Sequence, residues 1–344
     1  MNYSGQKAQQ ERKNKKRRRI FGAVAALSII AFVVFSFFVP PATWKYYVAL
    51  PQTTRRLEGE CRIHFLSVGQ GDCTLCEFPD GKTMLIDGGD GAKEHTAYIL
   101  RYLNSLGIKT IDYLVATHPD GDHTGGLDEV VKLKNVEKVF LPKITVETGA
   151  QFGEFTAAVK EKGCKTAFSA RNVSLSVTGG AYPYELLFLS PLSPDTPGGE
   201  YEKANGKNAD DTAYNDCSAV IRLDYFGSGA LFCGDITAEK ESEILLASET
   251  GLMKCDGKTV TIASTEILKV AHHGSSGSSS EEFLRKIGVK DAVISVGANN
   301  LYSHPHTETC ARLSRVGAEI YRTDENGTVV ATLRPDGTYT IKYH

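Results

Sequence analysis

The sequence predicts an α/β fold in which two sheets pack face to face with helices outside them. Short apolar, β-branched strands bounded by glycine turns recur from about residue 61 to the C-terminus. Three early strands and a helix are followed by alternating strands and helices, strand-rich in the middle, and that order suits stacked layers. A chain of 344 residues with 41% hydrophobic content can bury a large core.

The N-terminal segments differ from the rest. Residues 1–19 hold eight Lys or Arg (Lys7, Arg12, Lys13, Lys15, Lys16, Arg17, Arg18 and Arg19) against one acid, Glu11. Residues 20–40 follow as an uncharged apolar stretch, Ile20 to Val39, matching the about 20 residues that a membrane helix needs. The expectation is a basic cytosolic tail over 1–19 and a transmembrane anchor over 20–40. A linker over 41–58 and a globular domain over 59–344, outside the membrane, complete it. A cleaved signal peptide is the rival; its apolar core is shorter, about 7–15 residues. Trp44, Tyr46 and Tyr47 fit an interfacial belt.

Within the domain, strands are expected at about Arg62–Val68, Thr74–Phe78 and Thr83–Asp87, and a helix near Glu94–Leu106. Ile111–Ala116 reads as a buried strand, and Leu127 to Val131 as the opening of a helix. Pro194 to Tyr214, polar and rich in Gly, Asn and Asp, reads as a long loop rimming the functional site. Eight cysteines permit disulfides without requiring them; Cys73, Cys217 and Cys233 read as small buried hydrophobes.

Between the predicted strand and helix stands Thr117-His118-Pro119-Asp120-Gly121-Asp122-His123. Packing does not call for two imidazoles and two carboxylates in one turn, whereas a divalent metal needs that mixture of nitrogen and oxygen ligands. Unpaired N–H groups at a helix start there also suit an anion such as phosphate. Two later strands end in the residue types such a site still lacks. Ala230 to Asp235 delivers a carboxylate, and Ile267 to Ser275 delivers His272 and His273. His304 and His306, flanking Pro305, are candidates to contact a substrate phosphate or protonate a leaving oxygen. Asp72 and Asp87 close glycine turns, and Asp87 can support a ligand histidine from behind.

These pieces resemble the metallo-β-lactamase fold superfamily, and within it the metallo-hydrolase domain of the ComEC competence proteins. The resemblance rests on Val68-Gly69-Gln70-Gly71-Asp72, Leu85-Ile86-Asp87-Gly88-Gly89, the metal loop, Asn215-Asp216-Cys217-Ser218 and Gly234-Asp235. Leu268 to Ser275, Ser295-Val296-Gly297, Tyr302 to His306 and Arg322-Thr323-Asp324 complete it. It runs from about Cys61 to the C-terminus. It implies a four-layer αββα sandwich, here preceded by the single N-terminal transmembrane helix. It also implies His118 and Asp120 as ligands of one metal, Asp122 and His123 of the other, Asp235 as the bridge, and His272 or His273, favouring His273, as the late ligand.

The chain departs from the wider pattern at Asp120, where many members have His, and in having no histidine between His123 and His272. Asn215 offers only a neutral oxygen in the segment of the missing ligand. Carboxylate in place of imidazole moves preference from zinc towards harder ions such as manganese. The expected cofactor is therefore Zn²⁺ or Mn²⁺, with one tight ion and a second that is weak or recruited with substrate.

The implied activity is a membrane-anchored, extracytoplasmic metal-dependent phosphodiesterase, a nuclease acting on DNA, with Asp122, His304 and His306 as its catalytic residues. Outside the basic tail the chain carries 31 basic against 40 acidic residues, a formal net of −9, which argues against a broad sequence-independent grip on nucleic acid. One alternative is a phosphodiesterase on cell-surface polymers or small phosphodiesters. Another is a non-catalytic protein holding DNA or a partner at the membrane.

Overall fold

A computed structural model describes residues 3–38, 41–255 and 257–344, and divides the chain into two compact units, Met1–Leu50 and Pro51–His344. In the first unit one continuous helix, α1 (Tyr3–Phe38), carries both the basic run and the apolar stretch. A turn of 3₁₀ helix follows at Pro41–Tyr46, and Trp44 packs edge-on against Phe32 at 4.6 Å between ring centroids. The expected transmembrane helix is not found: among the described residues no helix is long and apolar enough to cross a membrane. Residues 39 and 40 of that expected segment lie outside the described residues.

The second unit begins with strands β1 (Cys61–Phe65), β2 (Thr74–Glu77) and β3 (Thr83–Ile86), then α2 (Lys93–Ser105) and β4 (Thr110–Val115). Helices α3 (Gly121–Thr124) and α4 (Leu127–Leu133) lead to β5 (Asn135–Leu141), α5 (Ala150–Lys162) and β6 (Lys165–Phe168). Next come β7 (Glu185–Ser190), α6 (Glu200–Ala204), α7 (Asp211–Asp216), β8 (Val220–Tyr225), β9 (Ser228–Phe232) and α8 (Ala238–Glu249). A small hairpin, β10 (Lys254–Cys255) with β11 (Lys258–Thr259), precedes β12 (Ile267–Lys269), α9 (Glu281–Ile287) and β13 (Asp291–Ile294). The chain closes with α10 (Thr307–Arg315), β14 (Glu319–Arg322), α11 (Thr323–Asn326), β15 (Val329–Leu333) and β16 (Tyr339–Tyr343).

The strands form an eight-stranded sheet, ordered β16-β15-β1-β2-β3-β4-β5-β6, and a six-stranded sheet, ordered β14-β13-β12-β9-β8-β7. Neighbours from β3 to β6 in the first sheet, and from β9 through β12 and β13 to β14 in the second, run parallel. Alternation along β1 sets the layers. Ile63 and Phe65 face a core shared with Ile221, Leu223 and Phe232 of the other sheet, whereas His64 turns to Tyr102 of α2, its Nδ1 3.0 Å from the hydroxyl. A second core lies between the six-stranded sheet and the helices over it, with Leu231, Leu268 and Ala292 against Ile244, Phe283 and Leu313. Helix, sheet, sheet, helix is the αββα sandwich expected.

One detail differs from the sequence reading. The segment Pro194–Tyr214 is not one loop: it folds into α6 and the start of α7, the latter capped by Asp210, whose carboxylate accepts from the Ala213 N–H. All eight cysteines are free thiols, and burial pushes those of Cys73 and Cys76 well above their ordinary pKa.

Candidate metal centre

The candidate residues gather where parallel strands end, the place at which open α/β sheets bind ligands. Asp87 follows β3, the Thr117–Thr124 loop follows β4, Asp235 follows β9, His272 and His273 follow β12, and His304 sits in the loop after β13.

The first ligand loop is braced from behind by Asp87. One carboxylate oxygen accepts from the Thr117 backbone N–H at 2.8 Å; the other accepts from the Thr117 hydroxyl at 2.8 Å and lies 2.8 Å from His123 Nδ1. With Nδ1 donating to a carboxylate, His123 turns its Nε2 forward as a free lone pair. The single turn of α3 swings His123 inward and leaves Asp122 facing the cavity, 31% of its side chain exposed. Gly71 packs under this turn, where a Cβ would come within 2.4 Å of the Asp122 carbonyl oxygen. The anion site expected at the helix start is not there: the Gly125 and Gly126 N–H groups donate to the Gly89 and Gly88 carbonyls.

The second ligand loop is a kinked turn in which His272 and His273 both have φ of 51°, a left-handed conformation that costs a non-glycine residue energy. His273 Nδ1 donates to the Ser295 carbonyl at 2.9 Å, and Asp72 lies 3.3 Å from the same nitrogen while also pairing with the buried Lys269 ammonium at 2.7 Å. Gly274, at φ +84°, packs so closely on Pro305 that a Cβ would sit 2.6 Å from its ring.

Between the loops the ligating atoms converge. His123 Nε2 lies 3.3 Å from Asp235 Oδ1 and 3.3 Å from His273 Nε2, and His273 Nε2 lies 3.3 Å from Asp122 Oδ2 and 3.5 Å from Asp235 Oδ2. His118, His123 and Asp235 form one group able to hold an ion, and Asp122, His123 and His273 another, with ligating atoms within 4.8 Å of one another. A third, Asp72 with Asp87 and His123, meets the same distance, but Lys269 and the Thr117 donors already occupy those carboxylates. Among the described residues, the buried His118 Nε2 and Asp235 Oδ1 lack hydrogen-bond partners. A proton between two Nε2 atoms satisfies only one of them, whereas a divalent cation satisfies every converging atom, so the residues fit a metal.

Electrostatics agree. Burial works against a charged His123, yet the Asp235 and Asp87 carboxylates outweigh it and hold the ring's pKa well above its usual range. Burial likewise opposes ionisation of Asp235, and the His123 and His273 rings override it, keeping the carboxyl well below the ordinary value. A pocket that draws positive charge this strongly is built for a cation.

Of the predicted site residues, His118, His123, Asp122, Asp235 and His273 meet in these two groups. His123 stands in both, rather than beside Asp122 alone. Asp120 joins neither; its Oδ2 is 3.6 Å from His118 Nε2. His272 stays at the rim, its Nε2 3.8 Å from Asp235 Oδ2. With His304, Asp120 and His272 line a cavity of about 160 Å³ over the centre, whose other walls include Gln70, Asp211, Asn215 and Tyr302. His306 does not line it; its Nδ1 accepts from the Ser276 N–H at 2.9 Å. Burial first, then the neighbouring imidazoles, push His304 down to about 4, so its ring is neutral at pH 7.

Sequence reasoning had not assigned Gln70, Asp211 or Tyr302 to the site. Gln70 and Tyr302 stand within motifs that carry the resemblance, and Asp211 and Asn215, four apart on α7, share a helical face.

The chain is similar to ComE operon protein 3 of Bacillus subtilis (strain 168), 28% identical over 79% of this chain and 33% of that protein. It is also similar to competence protein ComA of Neisseria gonorrhoeae, 27% identical over 79% of this chain and 32% of that one. It thus spans about a third of the length of these curated relatives. Among solved structures, the diiron β-hydroxylase CmlA of Streptomyces venezuelae is a remote likeness, 14% identical with a TM-score of 0.47 over 81% of this chain and 55% of that one. The family model described as the metallo-beta-lactamase superfamily matches residues 66–298, from the end of β1 past β13 and through every ligand group above, and the chain belongs to that superfamily.

Proposed function

We propose that this protein is a metal-dependent phosphodiesterase whose substrate is DNA. The observation that carries the proposal is the convergence of His118, His123, Asp235, Asp122 and His273 beneath an open cavity, with two ligating atoms left unpartnered. The competence proteins it resembles supply the choice of DNA.

His118, His123 and Asp235 would hold one ion, zinc or manganese, and Asp122 with His273 the second, weaker one. A bound ion lowers the pKa of water and polarises a phosphoryl oxygen. Asp122 stays ionised against its burial because the His273 and His123 rings favour its charge, which suits holding a cation and orienting water better than storing a proton. His304, neutral at pH 7, offers an N–H to a non-bridging phosphate oxygen rather than a proton to the leaving group. His306 serves as a positioning residue for the Ser276 turn. In the overall step one P–O bond forms from water, the ester P–O bond breaks, and the proton released from water ends on the leaving oxygen.

The test is cleavage of single- and double-stranded DNA by the full chain with Mn²⁺ or Zn²⁺, beside Asp122→Ala and Asp235→Ala. Metal-dependent cleavage lost in both variants is expected. Metal-loaded protein that leaves DNA intact but hydrolyses bis(p-nitrophenyl) phosphate would move the assignment to small phosphodiesters or surface polymers, a reading favoured by the acidic body of the chain.

A further inference from the structure

The loop after β13, from Gly297 to His306, holds two large apolar side chains in solvent. Leu301 is 98% exposed and Tyr302 63%. A floppy loop could fold such groups away, but this one is fastened. Asn300 makes four hydrogen bonds inside it: its amide donates to the Gly297 carbonyl at 2.9 Å and the His304 carbonyl at 2.6 Å, and its oxygen accepts from the Tyr302 N–H at 3.1 Å and the His304 N–H at 3.0 Å. The Gln70 side-chain oxygen accepts from the Gly297 N–H at 3.2 Å and ties the loop to the segment before β2.

Tyr302 also lines the cavity over the metal groups, in the same wall as His304. Its ring lies nearly parallel to that of His304, at 5.6 Å and 23°, and His304 lies 6.3 Å from His273 at 29°. One imidazole therefore separates an exposed aromatic face from the centre. On the same side the buried Gln70 Nε2 has no hydrogen-bond partner among the described residues, and Gln70 borders the cavity with a donor for an anionic oxygen.

We propose that Tyr302 is a stacking platform for an unpaired nucleobase next to the phosphate held at the centre, with Leu301 packing on the edge of that base. The inference rests on the phosphodiesterase reading and deepens it by naming what the cavity wall recognises. A fixed ring beside a phosphate site recovers its exposed apolar area only against a flat, apolar group covalently close to a phosphate. A nucleobase meets that description, and base–aromatic stacking needs no particular sequence. A base inside a duplex already stacks on both faces, so the platform takes bases that are single-stranded or frayed.

The test compares the full-length native protein with Tyr302→Ala, Tyr302→Phe and Leu301→Ala on three substrates: a single-stranded oligonucleotide, the same strand with abasic sites scanned along it, and its blunt duplex. Both residues are exposed, so the variants should match the native Tm. Tyr302→Ala is expected to lower kcat/KM on the single strand by about tenfold or more, chiefly through KM, with Tyr302→Phe near native. An abasic site beside the cut should cost the native protein a similar factor and cost Tyr302→Ala nothing further. Without added metal, a 2-aminopurine at that position should be quenched on binding to the native protein and not to Tyr302→Ala. An active native enzyme with Tyr302→Ala unchanged on every substrate overturns the platform and leaves the phosphodiesterase reading standing. A native protein that cleaves no DNA overturns the platform together with the choice of DNA as substrate.

Discussion

The two loops that bring histidines to the centre solve the same problem differently. The first, Thr117 to Thr124, is a short helical turn with ordinary backbone geometry, held by one carboxylate, Asp87, that spans three contacts. The second sets His272 and His273 in left-handed conformations and spreads its support over Asp72, Lys269, the Ser295 carbonyl, Pro305 and Glu241. One loop leans on a single side-chain brace; the other is strained and depends on side chains drawn from both halves of the domain. Strain of this kind persists only where the surroundings over-determine it, and here they fix an imidazole at the centre.

Asp235 belongs to neither loop and faces both, so its removal tests whether the loops form one centre or two separate features. Asp235→Ala is expected to abolish tight binding of the first ion and lower kcat/KM by on the order of 10³-fold or more, since ion-mediated stabilisation amounts to several kcal/mol. Metal content by mass spectrometry, read beside the DNA cleavage rate, checks it. Native metal content with native activity would mean that the loops do not act through a shared bridge.

The next contrast exchanges the carboxylate behind each loop for its amide. In Asp87→Asn, if the side-chain oxygen keeps the Thr117 N–H, the new NH₂ group faces His123 Nδ1 and donates to it. The ring's own proton then moves to Nε2, which faces Asp235, and the ligating lone pair is lost. A 10- to 100-fold loss of metal affinity, in round numbers, is expected. In Asp72→Asn the His273 tautomer survives, because Nδ1 still donates to the Ser295 carbonyl. The damage falls on Lys269, left buried and charged, at a stability cost of about 3–5 kcal/mol. Metal titration and chemical denaturation of the two variants should therefore separate, one losing affinity and the other losing stability. Equal losses of both kinds would erase the distinction between the loops.

That asymmetry also explains what could be read from the chain. The first loop is contiguous, so four ligand-type side chains stood together in seven residues, and even the supporting role of Asp87 was legible. His272 and His273 were visible as a pair. That His273 would enter the floor and His272 remain at the rim depends on two positive φ values and on Ser295, which no periodicity encodes. His306, read with His304 as a candidate to contact phosphate or protonate a leaving oxygen, has its Nδ1 taken by the Ser276 N–H across the turn. Polar composition suggested a loop from Pro194 to Tyr214; the Asp210 cap and a buried Tyr201 instead nucleate two short helices, and α7 carries Asp211 and Asn215 to the cavity. The apolar run after Arg19 read as a separate membrane segment, whereas it continues a helix begun at Tyr3. The strands were legible because short apolar, β-branched runs between glycine turns are local, and the resemblance supplied their stacking in four layers. The cavity wall was not, because Gln70, Asp211 and Tyr302 meet only through tertiary packing.

The smallest expected effect concerns acid. Behind the first loop, Asp87 faces a His123 ring whose positive form is favoured. Behind the second, the Glu241 carboxylate accepts the Ser279 and Ser280 N–H groups at 2.5 Å and 2.8 Å, yet burial raises its pKa from 4.5 to about 7. Between those values the folded protein holds a proton that the unfolded chain has already released. Linkage then makes stability fall as pH rises from about 4.5 through 7, and leaves it level above. The full span is at most about 3 kcal/mol, at 1.36 kcal/mol per unit. Glu241→Gln should flatten that slope, as measured by denaturant unfolding of metal-free protein at several pH values. A variant as steep as the native protein would show that the proton resides elsewhere than on the carboxyl behind the second loop.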